Sequence, residues 1–102
     1  MELKPGSRWK SAVCDTEVVV VKAPKAPASL ECGGHEMIPH AGAKPAGLSI
    51  AEGRAGGTQT GKRFADEETG VELLCTKGGA GTLTLDGREI ALKEAKKLPA
   101  SD

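Results

Sequence analysis

An Asp-Gly pair in the second half of the chain constrains the fold more than any other feature of the sequence. Asp86-Gly87 lies between segments 82–85 and 88–92, in which apolar and polar residues alternate. Asp-Gly favours the two-residue turn of a β-hairpin, because that turn needs positive φ angles. Such a turn predicts a hairpin with one half-buried face. The apolar residues on this face are Leu83, Leu85, Ile90 and Leu92.

Other segments also indicate strands, so we expect a mainly β protein with little helix. Segment 17–22, Glu-Val-Val-Val-Val-Lys, is a β-branched run typical of a strand. Three parts follow along the chain: a β-rich unit at 1–40, a Gly/Ala-rich loop at 41–59 with a possible short strand at 47–50, and an antiparallel β-meander at 60–102. We expect the meander to pack on the first unit as one compact domain, with a short helical turn near its end. No internal repeat is evident.

Composition predicts a thin core. Leu, Ile, Val and Phe together supply 19 of the 102 residues, whereas 14 residues are Ala and there is one Trp, one Phe and no Tyr. A small domain with so few large apolar side chains gains from a metal ion, a dimer interface or a larger partner. The 14 basic and 14 acidic residues cancel, which argues against nucleic-acid binding.

The sequence favours a soluble, cytoplasmic protein. The first ten residues include charges and a Pro where a signal peptide would be apolar. The longest apolar run, 18–21, is far too short to span a bilayer. Three Cys residues, an odd number, fit free thiols or metal ligands better than disulfides.

Two Cys-bearing segments in the first third resemble the iron-binding knuckle of the desulforedoxin family. The first is Trp-Lys-Ser-Ala-Val-Cys at 9–14, which precedes the valine-rich run, and the second is Leu-Glu-Cys-Gly-Gly-His-Glu-Met at 30–37. The resemblance implies a small rubredoxin-like β-knuckle that holds a metal with thiolates, and a homodimer. Cys14 and Cys32 match ligand positions of that family, whereas Ser11 and Gly33 stand where the family has its other two cysteines.

Replacement ligands for a zinc or iron ion are present in the sequence. His35 follows Cys32 at a spacing of three, which is normal for a metal pair. We therefore predict a remodelled site of Cys14, Cys32 and His35, with Cys75 or water as the fourth ligand. In the alternative interpretation no metal binds, and the thiols behave as small buried hydrophobic groups. Cys75 alternates with Val71 and Leu73, which favours a place in the core.

Three functions remain open at this stage, and no catalytic constellation is evident. The first is a small desulforedoxin-like protein that binds one zinc or iron ion. The second is a metal-free accessory or interaction subunit of a larger enzyme complex, and the third is a thiol-based redox protein. The partner is a second copy or a larger protein, unless the second part of the chain covers the dimer interface itself. We expect no nucleic acid and no membrane.

Overall fold

The computed structural model describes residues 3–25 and 28–92 and is built from ten β-strands. No helix occurs within these ranges, and hence none that could cross a bilayer. The prediction of a mainly β fold with little helix is confirmed, whereas the expected helical turn near the end of the chain lies outside the described residues. The strands are β1 Arg8–Lys10, β2 Glu17–Lys22, β3 Leu30–Cys32, β4 His35–Glu36, β5 Ile38–Pro39, β6 Arg63–Ala65, β7 Glu72–Lys77, β8 Leu83–Leu85, β9 Arg88–Glu89 and β10 Ala91–Leu92.

The strands form two antiparallel sheets. The larger sheet has the order β10-β6-β7-β2-β1-β5, and the smaller sheet has the order β4-β3-β8-β9. In the second part of the chain, β7 and β8 belong to different sheets, and β10 pairs with β6. The second part therefore differs from a meander in which each strand pairs with the next, because it contributes to both sheets.

The Asp86-Gly87 hairpin forms with the predicted two-residue turn. Leu85 pairs with Arg88 across β8 and β9, and Asp86 and Gly87 have φ angles of 51° and 84°, as a type I′ turn requires. Three of the four predicted apolar residues are buried. Leu92 is the exception at 48% exposure, because it belongs to β10 at the edge of the other sheet.

One hydrophobic core joins both sheets. It contains alternate residues of β2 and β7 from the larger sheet and of β3 and β8 from the smaller one. Alternation places these side chains on the facing sides of the two sheets. The fully buried larger side chains are Leu30, Met37, Leu73, Leu85, Val18, Val20 and Val71.

The two halves of the chain repeat one five-strand unit, so the expectation of no internal repeat is wrong. Strands β1 to β5 correspond in order and length to β6 to β10. The shift is 55 residues for the first two strands, as from Arg8 to Arg63, and 53 residues for the last three, as from Leu30 to Leu83. The repeat escapes notice in the sequence because few positions are identical and the spacing changes between β2 and β3.

Equivalent residues also have equivalent backbone roles. Gly33 and Gly34, with φ angles of 67° and 85°, form the turn of the first half that Asp86 and Gly87 form in the second. The N–H of Val20 donates to the carbonyl of Ser7 at 2.8 Å, and the N–H of Cys75 donates to the carbonyl of Lys62 at 2.9 Å. The repeat is therefore one of backbone structure as well as of strand order.

The halves are related by an approximate two-fold axis. Strands β2 and β7 pair around Val19 and Leu74, and β3 and β8 pair around Glu31 and Thr84. In each pair the two residues are equivalents of one another, as a two-fold axis between antiparallel strands requires. Each half therefore supplies the other with its sheet partner, and neither sheet is complete within one half.

The connection between the halves, residues 40–62, makes backbone hydrogen bonds to both halves. The predicted short strand at 47–50 does not form, and this segment has no strand pairing. The N–H of Ala51 donates to the carbonyl of Gly33 at 2.8 Å, and the N–H of Thr82 donates to the carbonyl of Arg54 at 2.8 Å. The connection thus links the Gly33-Gly34 turn of the first half to Thr82, the residue before β8.

Candidate functional site

A tight turn between β1 and β2 positions the first thiol. The hydroxyl oxygen of Ser11 accepts hydrogen bonds from the N–H groups of Val13 and Cys14 at 3.1 and 3.0 Å. The N–H of Ser11 in turn donates to the carbonyl of Thr16 at 2.8 Å. Serine hydroxyls stabilise such turns because they satisfy backbone donors that no strand partner can reach. Ser11 therefore organises the turn on which Cys14 lies.

The fold brings two of the predicted site residues together. The sulfurs of Cys14 and Cys32 are 3.7 Å apart, and the Cys14 sulfur is 3.2 Å from the hydroxyl oxygen of Thr16. Cys32 ends β3 and is fully buried, whereas Cys14 is half-buried. The two thiols are thus in contact, and only one of them reaches the surface.

Gly81, from the second half of the chain, packs against both sulfurs. A Cβ atom at Gly81 would lie 2.9 Å from the Cys32 sulfur and 3.1 Å from the Cys14 sulfur. The carbonyl of Gly81 accepts a hydrogen bond from the hydroxyl of Thr58 at 2.7 Å, which holds the backbone in this position. Glycine fits here because a side chain would press against the two sulfurs and, at 2.9 Å, against the backbone nitrogen of Gly33.

Polar neighbours give the two thiols very different acidities. Partial burial by itself raises the pKa of Cys14, but hydrogen bonds from Ser11 and Thr16 and from the backbone at Gly81 outweigh it and lower the pKa from 9.0 to about 7. Burial raises the pKa of Cys32 to about 12, and the nearby negative charge of Cys14 contributes to the rise. At neutral pH the pair therefore contains one partly ionised thiol and one protonated thiol.

The other two predicted ligands lie in different surroundings. The Nε2 atom of His35 is 2.9 Å from the carbonyl oxygen of Ser49 in the connection. The Cys75 thiol is fully buried in the core and donates to the carbonyl of Lys77 at 3.2 Å. Burial raises the pKa of Cys75, which favours an unreactive thiol.

The donors at this site do not fit a four-coordinate iron or zinc ion. Within residues 3–25 and 28–92, no group of three or more His, Cys, Asp or Glu side chains could hold a metal together. The hydroxyls of Ser11 and Thr16 are the other polar side-chain groups beside the thiols, and zinc is bound by thiolate, imidazole or carboxylate ligands. The predicted zinc or iron site of Cys14, Cys32, His35 and Cys75 stays a prediction.

Three residues that shape the site, Ser11, Thr16 and Gly81, were not predicted from the sequence to do so. Ser11 was noted only as a lost ligand, although a Ser three residues before Cys14 is a signal for a capped turn. Thr16 precedes a strand by one residue and carries no signal of its own. The glycine run at 78–81 has the composition of a flexible turn, and its contact with the thiols depends on the pairing of the two halves, which local patterns do not predict.

Comparison with known proteins adds no relative to these observations. No family model, no curated protein and no solved structure matches the chain. Its function is therefore inferred from the two thiols and their surroundings.

Proposed function

We propose that the protein is a small thiol–disulfide exchange protein in which Cys14 and Cys32 form a reversible disulfide. The observation that supports this proposal is the contact of 3.7 Å between a half-buried and a fully buried sulfur. A disulfide requires a sulfur–sulfur distance of about 2.05 Å. Each sulfur would therefore move by less than about 1 Å, which side-chain rotation and small backbone shifts can supply.

The two thiols have different roles in the proposed reaction. The Cys14 thiolate attacks one sulfur of an external disulfide, and the other sulfur leaves as a thiolate and takes up a proton. The Cys32 thiol then loses its proton and attacks the Cys14 sulfur of the mixed disulfide. A second external thiol leaves, so two protein thiols are oxidised and one external disulfide is reduced to two thiols.

The environment of the thiols suits these roles. Nucleophilic attack needs the thiolate, and the best attacking thiol has a pKa near the ambient pH. Ser11 and Thr16 supply hydrogen bonds to the Cys14 sulfur, while full burial protects Cys32 from direct attack by external disulfides. Cys32 therefore reacts with Cys14 before it reacts with another molecule.

The pairing of the halves bears on whether the protein is a homodimer or covers its dimer interface within one chain. The second half pairs with the first through β2–β7 and β3–β8, as a second copy of the first half would do. This arrangement favours a dimer-like unit within one chain over a homodimer.

The proposal is tested with the reduced full chain and 5,5′-dithiobis(2-nitrobenzoate), a disulfide that releases a coloured thiolate. We expect two coloured thiolates per chain in a fast phase, because Cys32 displaces the second one. The Cys32→Ser variant should release one in that phase and keep a stable mixed disulfide. The Cys14→Ser variant should lose the fast phase, with a rate lower by about tenfold or more.

Cys75→Ser is the matched control, because Cys75 is as buried as Cys32 but belongs to the core and has no contact of this kind with Cys14. Its fast phase should equal that of the wild type. A wild-type chain that stops at the mixed disulfide, or a Cys14→Ser variant that reacts as fast as the wild type, would contradict the proposal.

A further inference from the structure

The same two thiols also define a donor set for a metal that needs fewer ligands than iron or zinc. Within the described residues the set contains two sulfurs and no third His, Cys, Asp or Glu. Zinc in structural sites takes four protein ligands. Thiolates are also the preferred ligands of Cu(I), which is stable with two or three sulfur donors. The mismatch with a four-ligand site therefore points to a different metal.

We propose that reduced Cys14 and Cys32 bind one Cu(I) ion, with a third coordination position open to a thiol from outside the chain. Two S–H bonds are replaced by two copper–sulfur bonds, and up to two protons are released. Copper enters and stays as Cu(I), so the binding step needs no oxidant or reductant.

The distance between the sulfurs supports three-coordinate rather than linear binding. If the copper–sulfur bonds are slightly shorter than the zinc–sulfur length of about 2.3 Å, the present separation of 3.7 Å corresponds to an angle of roughly 115° at the metal. Three ligands in a plane require about 120°. A linear unit would need the sulfurs to separate to roughly 4.3 Å with such bonds.

The neighbours of the two sulfurs are a glycine and a hydroxyl group, and neither carries a positive charge that would oppose a bound cation. Gly81 has no side chain where a Cβ would lie 2.9 Å from one sulfur and 3.1 Å from the other. The hydroxyl of Thr16 lies 3.2 Å from the Cys14 sulfur and can donate to a metal-bound thiolate. Because Cys14 is the half-exposed member of the pair, an external thiol reaches the third position from its side.

This inference is independent of the proposed exchange reaction. Copper binding needs both thiols in the reduced state, whereas exchange converts them to a disulfide. A pair that exchanges disulfides without retaining copper would overturn the copper inference alone. A pair that retains copper but stops at a mixed disulfide would overturn the exchange proposal alone.

The test is an anaerobic titration of the reduced full chain against Cu(I) held by the coloured chelator bicinchoninate. We expect one Cu(I) per chain, and we expect the Cys14→Ser and Cys32→Ser variants to bind at least roughly tenfold more weakly. Cys75→Ser should match the wild type, and wild-type protein oxidised beforehand should take up no copper. Equal binding by Cys14→Ser and wild type, or an equal loss in Cys75→Ser, would overturn the inference.

X-ray absorption of the copper-loaded wild type gives a second measurement that does not depend on the folding of any variant. The expected spectrum has two copper–sulfur bonds in the protein alone and three after an excess of a small thiol is added. Ligation of the copper in the wild type by nitrogen or oxygen atoms alone would overturn the inference.

Discussion

The two halves of this protein have the same strand pattern, but only the first half has thiols at the turn. The equivalents of Ser11, Cys14 and Cys32 are Asp66, Thr69 and Leu85. Asp66 repeats the turn-stabilising role, because its carboxylate accepts hydrogen bonds from the N–H and hydroxyl of Thr69 at 3.2 and 2.8 Å. The turn and the strands therefore need a hydrogen-bond acceptor and a buried side chain at these positions, and they do not need sulfur.

The second half of the chain also has an ion pair beside its turn, where the first half has none between the equivalent residues. Arg88, the equivalent of His35, contacts Asp66 at 3.2 Å. Hydrogen bonds from Thr69 and Arg88 outweigh desolvation and lower the pKa of Asp66, so this carboxylate stays ionised at neutral pH. The positions of Ser11 and His35, which flank the thiols in the first half, thus form a structural ion pair in the second half.

The largest expected effect is on stability, and it distinguishes Leu85 from Cys32, which are buried at equivalent positions of the two halves. Leu85→Ala should lower the free energy of unfolding by about 2–5 kcal/mol, because it removes a leucine side chain from the core and leaves a cavity. Cys32→Ala removes a single sulfur and should cost about 1 kcal/mol. Urea unfolding of the reduced proteins measures both. Equal losses would show that Cys32 is as important for packing as Leu85, and the comparison would fail.

A smaller effect on stability is expected at Gly81, which packs against the two thiols. Gly81 has Ala28 as its equivalent, and a methyl group is accommodated there. At Gly81 the same methyl group would press against two sulfurs and the backbone nitrogen of Gly33, so Gly81→Ala should cost about 1–3 kcal/mol.

The double variant Gly81→Ala/Cys32→Ala is the control for that prediction. Removal of the Cys32 sulfur takes away one of the three atoms that the added methyl group would approach, so urea unfolding should show a cost for Gly81→Ala that is smaller in this background. A cost that is unchanged would mean that the close approach to the backbone nitrogen of Gly33, and not contact with the Cys32 sulfur, makes glycine necessary.

The smallest expected effect concerns the acidity of Cys14. Alkylation by iodoacetamide should rise with pH around a midpoint of about 7, because the thiolate is the reacting form. Ser11→Ala or Thr16→Val removes a hydrogen bond that stabilises the thiolate. The midpoint should then move upward toward 9.0, and the rate at pH 7 should fall by up to roughly tenfold.

Asp66→Ala supplies the matched control, since it removes the equivalent turn acceptor from the half that has no thiol. The alkylation midpoint of Cys14 should not move in this variant. A similar shift in both variants would show that general loosening of the fold, and not the local hydroxyl, sets the acidity of Cys14.

Local patterns predicted the strands well, because alternation and β-branched runs report directly on half-buried β-structure. The hairpin at Asp86-Gly87 and the strand around Val19 formed as expected. The two-fold arrangement was missed because the halves share few identical residues, and the pairing of β3 with β8 joins segments about fifty residues apart. No turn chemistry specifies such a pairing.

The candidate site was predicted only in part, again because local patterns do not specify how the two halves pair. The meeting of Cys14 and Cys32 follows from the two turns of one half, and the sequence resemblance pointed to both residues. The surroundings that distinguish the two thiols come from elsewhere. Gly81 reaches them through the pairing of the halves, and the alternation that placed Cys75 in the core outweighed its chemical suitability as a ligand.

The reciprocal strand pairing has a consequence for the order in which the chain can fold. During synthesis the first half leaves the ribosome with β2 and β3 still lacking the partners that β7 and β8 provide. Contacts of such long sequence separation are slow to form, and unpaired strand edges are prone to wrong association in the meantime. The backbone at Gly81 is also made late, so Cys32 lacks this cover until residue 81 has been added.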